Sequence, residues 1–311
     1  MSEEFQKAEV LNPKPVTVQQ ALQIGAGFLA QAGVESARLD AELLLGKVLG
    51  ARREGLYLNY EMLLGTSQQA LYQSLLQRRA QREPISYIIG EREFWSLDFL
   101  VTPDVLVPRP ETEMLVEVAL RLIETQSQMA NLKWQILDLG TGSCAIAVSL
   151  AKELSDVEIW ATDLSAAALE IAQANVVRYD VREKIQLLKG DLFEAVEDRQ
   201  GFFHMIVSNP PYVRRSDRRD LPPEVRDWEP KLALDGGPDG LDLYRRIIRD
   251  GHLYLADGGC LALEIGADMG EEVSRLFASV GCYSTPSLYQ DYAGRDRVIV
   301  VKKLSQPSKT D

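Results

Sequence analysis

Two histidines and three cysteines among 311 residues leave little material for metal or disulfide chemistry. Cys144, Cys260 and Cys282 form an odd, scattered set, which argues against a disulfide framework and a zinc cluster and fits a reducing compartment. His204 and His252 alone do not make a histidine-based metal site, so no metal is expected. No apolar run approaches the roughly 18 residues that a membrane span requires. Met1-Ser2-Glu3-Glu4-Phe5 carries neither a basic nor an apolar leader, so a cytoplasmic protein without membrane contact is expected. Basic residues are also in deficit, at 34 Lys and Arg against 46 Asp and Glu, a net charge of −12. Duplex nucleic acid is bound largely by neutralising phosphates, so this balance counts against a general DNA binder.

What is present is ordinary globular material, 46% hydrophobic and 26% charged, long enough for one large domain and one small one. Residues 1–15 have no period and read as a flexible tail. Helical spacing then begins. Thr17 is placed to cap a helix carrying Leu22, Ile24, Phe28 and Leu29. Ser36 can cap one carrying Leu39, Leu43, Leu44 and Val48, and Thr66 or Ser67 one carrying Leu71, Leu75 and Leu76. Residues 16–84 are therefore expected to form a helical bundle, with docking and stability as its roles. Residues 85–110 carry Tyr87, Ile88, Ile89, Phe94, Trp95, Leu97, Phe99 and Val101 around Gly90-Glu91-Arg92, and read as a β-hairpin linker. Pro108-Arg109-Pro110 ends it, and Thr112 can cap a helix bearing Leu115, Val118, Ala119 and Leu122.

Over residues 111–304 strands alternate with helices. Strands are expected at 135–139, 158–161, 185–188, 205–208, 261–265 and 297–301. Helices are expected at 145–154, 166–179, 241–254 and 270–280, and residues 305–311 as a tail. This order implies an α/β fold: a doubly wound, mostly parallel sheet, which binds ligands beyond the carboxyl ends of its strands.

Two strand ends carry chemistry. Asp138-Leu139 runs into Gly140-Thr141-Gly142-Ser143-Cys144 ahead of a helix, where glycines permit a tight turn and a bare backbone against a ligand. Asp163 ends the next strand, placed to accept the hydroxyls of a ribose. Alone, these residues suit either NAD or S-adenosylmethionine. The second strand end is Asn209-Pro210-Pro211-Tyr212. Two prolines remove two N–H donors, leaving carbonyls and the Asn oxygen as acceptors beside an aromatic face. Such a rim grips a flat NH2 group through both hydrogens while the ring stacks on its plane. A delocalised nitrogen held this way and aimed at a sulfonium methyl can rehybridise and attack in line, and no strong base is needed.

Asp138 to Ser143, Asp163, Gly190-Asp191-Leu192-Phe193 and Asn209 to Tyr212 resemble the successive motifs of class I amino-methyltransferases with a Rossmann-like fold. Pro108-Arg109-Pro110-Glu111-Thr112-Glu113, Gly236-Gly237-Pro238-Asp239-Gly240-Leu241 and Ala293-Gly294-Arg295-Asp296-Arg297 narrow the resemblance to the release factor glutamine N5-methyltransferases. It covers roughly residues 16–303. The resemblance implies that Gly140, Thr141, Gly142, Ser143 and Cys144 line the methionine moiety of S-adenosylmethionine. Asp163 holds its ribose, Asp191 and Leu192 border its adenine, and Asn209 adjoins it. Asn209, Pro210, Pro211 and Tyr212 then hold the glutamine amide of the Gly-Gly-Gln loop of a class I release factor, Asn209, Pro210 and Tyr212 acting in catalysis. The product is S-adenosylhomocysteine, and a monomer is expected. Cys144 replaces a third glycine usual in the family, and Leu192 stands where an aromatic often lies against adenine.

The nearest rival is an adenine N6-methyltransferase acting on DNA or RNA, which would need a basic channel for a flipped base. The one basic cluster, Arg214, Arg215, Arg218 and Arg219, is interspersed with Asp217 and Asp220. A nicotinamide oxidoreductase would leave Asn209 to Tyr212 without a task. An inactive adaptor would not need them. Glu224, Glu229, Glu264 and Asp296 read as isolated surface carboxylates, and Cys260 and Cys282 as small buried residues.

Overall fold

The computed structural model describes residues 15–127 and 133–304. Apart from Pro15, both expected tails lie outside the described residues. The chain divides into two compact units. One comprises Met1–Glu91 with Pro222–Trp228, the other Arg92–Leu221 with Glu229–Asp311.

The first unit holds helices α1 (Val18–Gln31), α2 (Ala37–Leu49), α3 (Arg53–Leu58), α4 (Thr66–Ala80) and α5 (Ile85–Ile89), with a short helix at Pro223–Trp228. Thr17 caps α1 as the sequence implies. Its hydroxyl accepts the Gln20 N–H at 3.2 Å while Gln20 Oε1 accepts its own N–H at 3.0 Å. Ser36 makes no such bond and instead donates to Asp40 Oδ1 at 2.9 Å. Gly65, not Thr66 or Ser67, occupies the cap of α4. The expected stripes hold in part: Leu44, Leu75 and Leu76 are buried, but Leu39 and Leu71 are 42% and 49% exposed, and Ala41 and Tyr72 are fully buried in addition. The reason is a polar core. Arg79, 5% exposed, donates to Asp40 at 2.6 Å and to Glu224 at 2.9 Å, so α2 and α4 turn charged positions inward.

Residues 85–89, read as strand, form helix α5. The hairpin follows as β1 (Glu91–Phe94) and β2 (Leu97–Leu100). Its turn is not at Gly90 but at Trp95-Ser96, both left-handed at φ 53° and 57°. Two consecutive residues at positive φ match the right-handed twist of a hairpin, and glycine is the usual choice. Here the Glu113 carboxylate accepts the Trp95 N–H at 2.8 Å and offsets the strain.

The second unit is built on β3 (Trp134–Leu139), β4 (Val157–Asp163), β5 (Ile185–Lys189), β6 (Phe203–Ser208), β7 (Leu255–Glu264), β8 (Ser287–Gln290) and β9 (Asp296–Lys302). Their order across the sheet is β5-β4-β3-β6-β7-β9-β8, parallel through β7 and antiparallel at β9 and β8. Helices α6 (Glu113–Ser127), α7 (Ala145–Glu153) and α8 (Ala166–Arg178) cover one face. The other face is covered by α9 (Asp242–Tyr254) and α10 (Gly270–Val280). Successive strand residues alternate between the two cores: Ile136, Met205 and Cys260 enter one, Leu137, Ile206 and Leu261 the other. This is the doubly wound sheet that the sequence implies, with β8 as an unanticipated edge strand. Strand order reverses between β3 and β6, so their carboxyl ends splay apart and leave a crevice.

Candidate active site

Beyond β3 the chain turns sharply. Gly140 and Gly142 are left-handed at φ 71° and 55°, and a Cβ built on either meets nothing within 4 Å. The backbone there is bare against open space, as a ligand approaching a peptide edge requires. The turn is pinned from behind. Gly140 and Thr141 donate to Thr162 O at 2.9 Å, and Gly142 N–H reaches Asp163 Oδ2 at 2.9 Å. Asp163 Oδ1 accepts from Ser165 N at 2.9 Å, so the carboxylate at the end of β4 is oriented by two backbone donors.

Thr141, Ser143 and Cys144 are buried behind this turn at 7%, 4% and 0% exposure. Thr141 donates to Asp138 Oδ2 at 2.6 Å. Burial raises Asp138 to about 7, outweighing that bond, with Asp163 adding repulsion. Its Oδ1 is buried without a side-chain partner among the described residues, and the Ala147 backbone is the other group that lowers its pKa. Cys144 is left-handed at φ 67°, which explains why glycine suits this position. Its thiol packs in the core and burial pushes its pKa up, which leaves it no nucleophilic role. Asn175, unremarked in the sequence, is fully buried. It accepts from Leu100 N at 2.8 Å and donates to Ser143 O at 2.9 Å, tying β2 to the glycine turn.

A cavity of about 220 Å³ lies over these strand ends. Gly140, Gly142, Asp163, Gly190, Asp191, Leu192, Asn209, Pro210 and Pro211 all line it. So do residues the sequence did not mark: Asp104, Val105 and Leu106 after the hairpin, and Pro230, Leu232 and Ala233 in a later loop. These lack periodicity and earn their place only through packing. The Pro108-Arg109-Pro110 segment holds that later loop, for Arg109 Nη2 contacts both oxygens of Glu229 at 2.7 and 2.6 Å. Glu229 is 5% exposed, not a surface charge, and burial raises its pKa despite Arg109.

Asn209 follows β6, and Ser208 fastens that strand end to β3 by donating to Leu139 O at 2.7 Å. Asn209 Nδ2 donates to Thr112 Oγ1 at 3.1 Å, leaving Oδ1 free to accept. Thr112, expected to cap α6, sits instead in a tight turn, Pro110–Thr112. Tyr212 packs beside the second core, its hydroxyl pushed up to about 12 chiefly by burial. Gly236 and Gly240 bring their backbones onto it: a Cβ on Gly236 would lie 2.7 Å from Tyr212 Cα, one on Gly240 2.6 Å from Tyr212 O. The Gly236–Leu241 motif is thus a clamp on the Asn209–Tyr212 segment.

Two members of the arginine cluster are tied to carboxylates of nearby loops. Arg214 contacts Asp268 at 3.2 Å and Arg215 contacts Asp235 at 3.1 Å. Among the described residues no group of three or more His, Cys, Asp or Glu could hold a metal ion, and no helix is long and apolar enough to cross a membrane.

Sheet order, crevice and strand-end loops are those of a Rossmann-like methyltransferase. Residues 20–90 match the PrmC N-terminal domain family and residues 117–221 the methyltransferase small domain family. A release factor glutamine methyltransferase of Geobacter sulfurreducens is 43% identical over 290 residues, covering 92% of this chain and 97% of that protein, and the chain belongs to that family. A second, from Moorella thermoacetica, is 42% identical over 94% of this chain and 100% of its own length. Among solved structures, the hMettl16 catalytic domain in complex with a MAT2A 3'UTR hairpin shares the fold at TM-score 0.56 and 16% identity, covering 75% of this chain and 83% of that one.

Proposed function

We propose that this enzyme transfers a methyl group from S-adenosylmethionine to the side-chain nitrogen N5 of the glutamine in the Gly-Gly-Gln motif of class I peptide-chain release factors. The observation that carries the reading is Asn209, held at the crevice by an acceptor for its own NH2, Thr112 Oγ1, so that its oxygen is left as an acceptor. The relatives' name supplies the substrate class.

The bare turn at Gly140 and Gly142 and the buried Asp138 oxygen without a side-chain partner fit a cationic, adenosine-bearing cofactor. Gly140 to Cys144 would border its methionine moiety, with Thr141, Ser143 and Cys144 acting through the shape of the turn. Asp163 would take the ribose hydroxyls, and Asp191 and Leu192 would border the adenine. Bound S-adenosylmethionine supplies an electrophilic sulfonium methyl. Asn209 Oδ1 and the Pro210 carbonyl accept the two N–H bonds of the substrate amide, Pro211 fixes the extended backbone, and Tyr212 supplies the flat face beside it. The acceptors stabilise positive charge growing on N5 as it gains the methyl group, and one N–H proton then passes to solvent. The helical unit serves substrate docking, the segment that begins with the hairpin of β1 and β2 follows it, and the second unit carries the chemistry. The enzyme works as a cytoplasmic monomer on protein, not DNA.

The test is methyl transfer with labelled cofactor, offering a release factor, its Gln→Ala variant and duplex DNA side by side. Label is expected on the first alone; label on DNA instead overturns the substrate assignment. Asn209→Ala should lower kcat by about a hundredfold or more, on the scale of losing one transition-state hydrogen-bonding group. Unchanged turnover would sink the acceptor role.

A further inference from the structure

Glu264 ends β7, the strand beside β6, and is 1% exposed. Its carboxylate bonds the Thr112 side chain, and Thr112, itself 5% exposed, is the group that accepts from Asn209 Nδ2. A hydroxyl has one proton. Because Thr112 Oγ1 accepts from Asn209, that proton points at Glu264. Were the Asn209 amide reversed, Oδ1 would face Thr112 and the hydroxyl would have to donate to it. The Glu264 carboxylate would then lose its donor in a dry site. Its Oε2 already has no partner among the described residues, so losing the Thr112 donor would deepen an existing deficit.

We infer that Glu264 is a positioning residue for methyl transfer: through the Thr112 hydroxyl it locks the Asn209 amide with Oδ1 turned to the substrate. The inference rests on the proposed reaction but concerns a different link, the polarity of a hydrogen-bond chain.

The lock depends on Glu264 being ionised. Burial lifts its carboxyl to about 7; Thr112, Arg297 and Arg109 oppose the rise and Glu111 adds to it. Tyr212 and Tyr244 also face it, neutral in this range because their own hydroxyls are shifted upward. Below about pH 7 a protonated Glu264 donates to Thr112 instead. The hydroxyl is then free to donate to Asn209, and the amide can reverse.

The experiment compares wild type, Thr112→Val, Thr112→Ser and Glu264→Gln at saturating cofactor. Wild-type kcat should rise through about pH 7 and level above it. Thr112→Val should lose about tenfold or more in kcat with KM little changed, since orientation is lost and shape kept, and Thr112→Ser should recover most of it. Glu264→Gln carries no titrating group at this position, so whatever its level of activity the acid limb should vanish. An undiminished kcat in Thr112→Val, or an unchanged acid limb in Glu264→Gln, overturns the inference. A second readout needs no substrate. The labelled Glu264 carboxyl, followed by NMR, should titrate near 7 in wild type and higher in Thr112→Val. Failure to titrate between pH 6 and 8 overturns the inference too. A wild type inert on release factor would refute the substrate reading alone, while the titration still decides the chain.

Discussion

Asp138 is a carboxyl buried behind the glycine turn and bonded to Thr141. It lies at 0% exposure with one oxygen lacking a side-chain partner among the described residues, and burial holds it near 7. A native group raised above its usual value near 3.9 binds more protons than the unfolded chain between those two pH values. Stability from this group therefore falls as pH rises through that window and levels off above about 7. Denaturation at pH 5.5 and pH 8 should show this drop in wild type and a smaller one in Asp138→Asn. A cofactor with a sulfonium and an ammonium favours the ionised form, so binding should release a proton and tighten as pH rises towards 7. Calorimetry in buffers of different ionisation enthalpy measures the release. Pure pH-independent binding would show that Asp138 does not sense the cofactor charge.

The Gly236–Leu241 segment makes a parallel case at the scale of an element. Val213 donates to Leu234 O and Gly236 to Val213 O, both at 3.0 Å, so the two loops behave as one plate. Gly236→Ala must push the Tyr212 backbone away, since its Cβ would sit within 2.8 Å of Tyr212 Cα, Tyr212 C and Gly240 Cα. Turnover should fall about tenfold or more with cofactor affinity unchanged, as a shift of an ångström misplaces the acceptors. Equal losses in both would mean that the plate supports the whole crevice. The parallel strands were legible because each is a short apolar run buried on both faces. The glycine turn and Asn209–Tyr212 were legible because their chemistry is local. Strand β8 was not: three of its four residues are exposed, and pairing with β9 alone defines it. Nor was α5, where Ile88 and Ile89 favour strand but packing on α2 and α4 decides. Glu264 looked like a surface charge because its partner, Thr112, lies far away in the chain.

At the scale of the molecule, one segment belongs to a unit its sequence position does not suggest. Pro222–Trp228 lies between stretches of the catalytic unit yet joins the helical one. The tie is ionic. Glu224 receives Arg79 at 2.9 Å and Arg82 at 2.9 Å, and these arginine contacts lower its pKa against the effect of burial. Arg79 in turn neutralises Asp40, which is 2% exposed and packed among leucines of the bundle. Replacing Arg79 by Ala would leave Asp40 buried without its cation, a change that typically costs about 3–5 kcal/mol. Arg79→Met alone keeps that cost, whereas Arg79→Met with Asp40→Leu removes the stranded charge and should recover much of the stability. Urea denaturation of the three variants distinguishes this from general overpacking. If the double variant is no more stable than Arg79→Met, the buried pair does not hold the bundle. Were the pair chiefly a stabiliser of the catalytic unit, cofactor affinity would fall with it. Since Arg79, Asp40 and Glu224 all lie in the helical unit, affinity for S-adenosylmethionine should stay level while the bundle loosens.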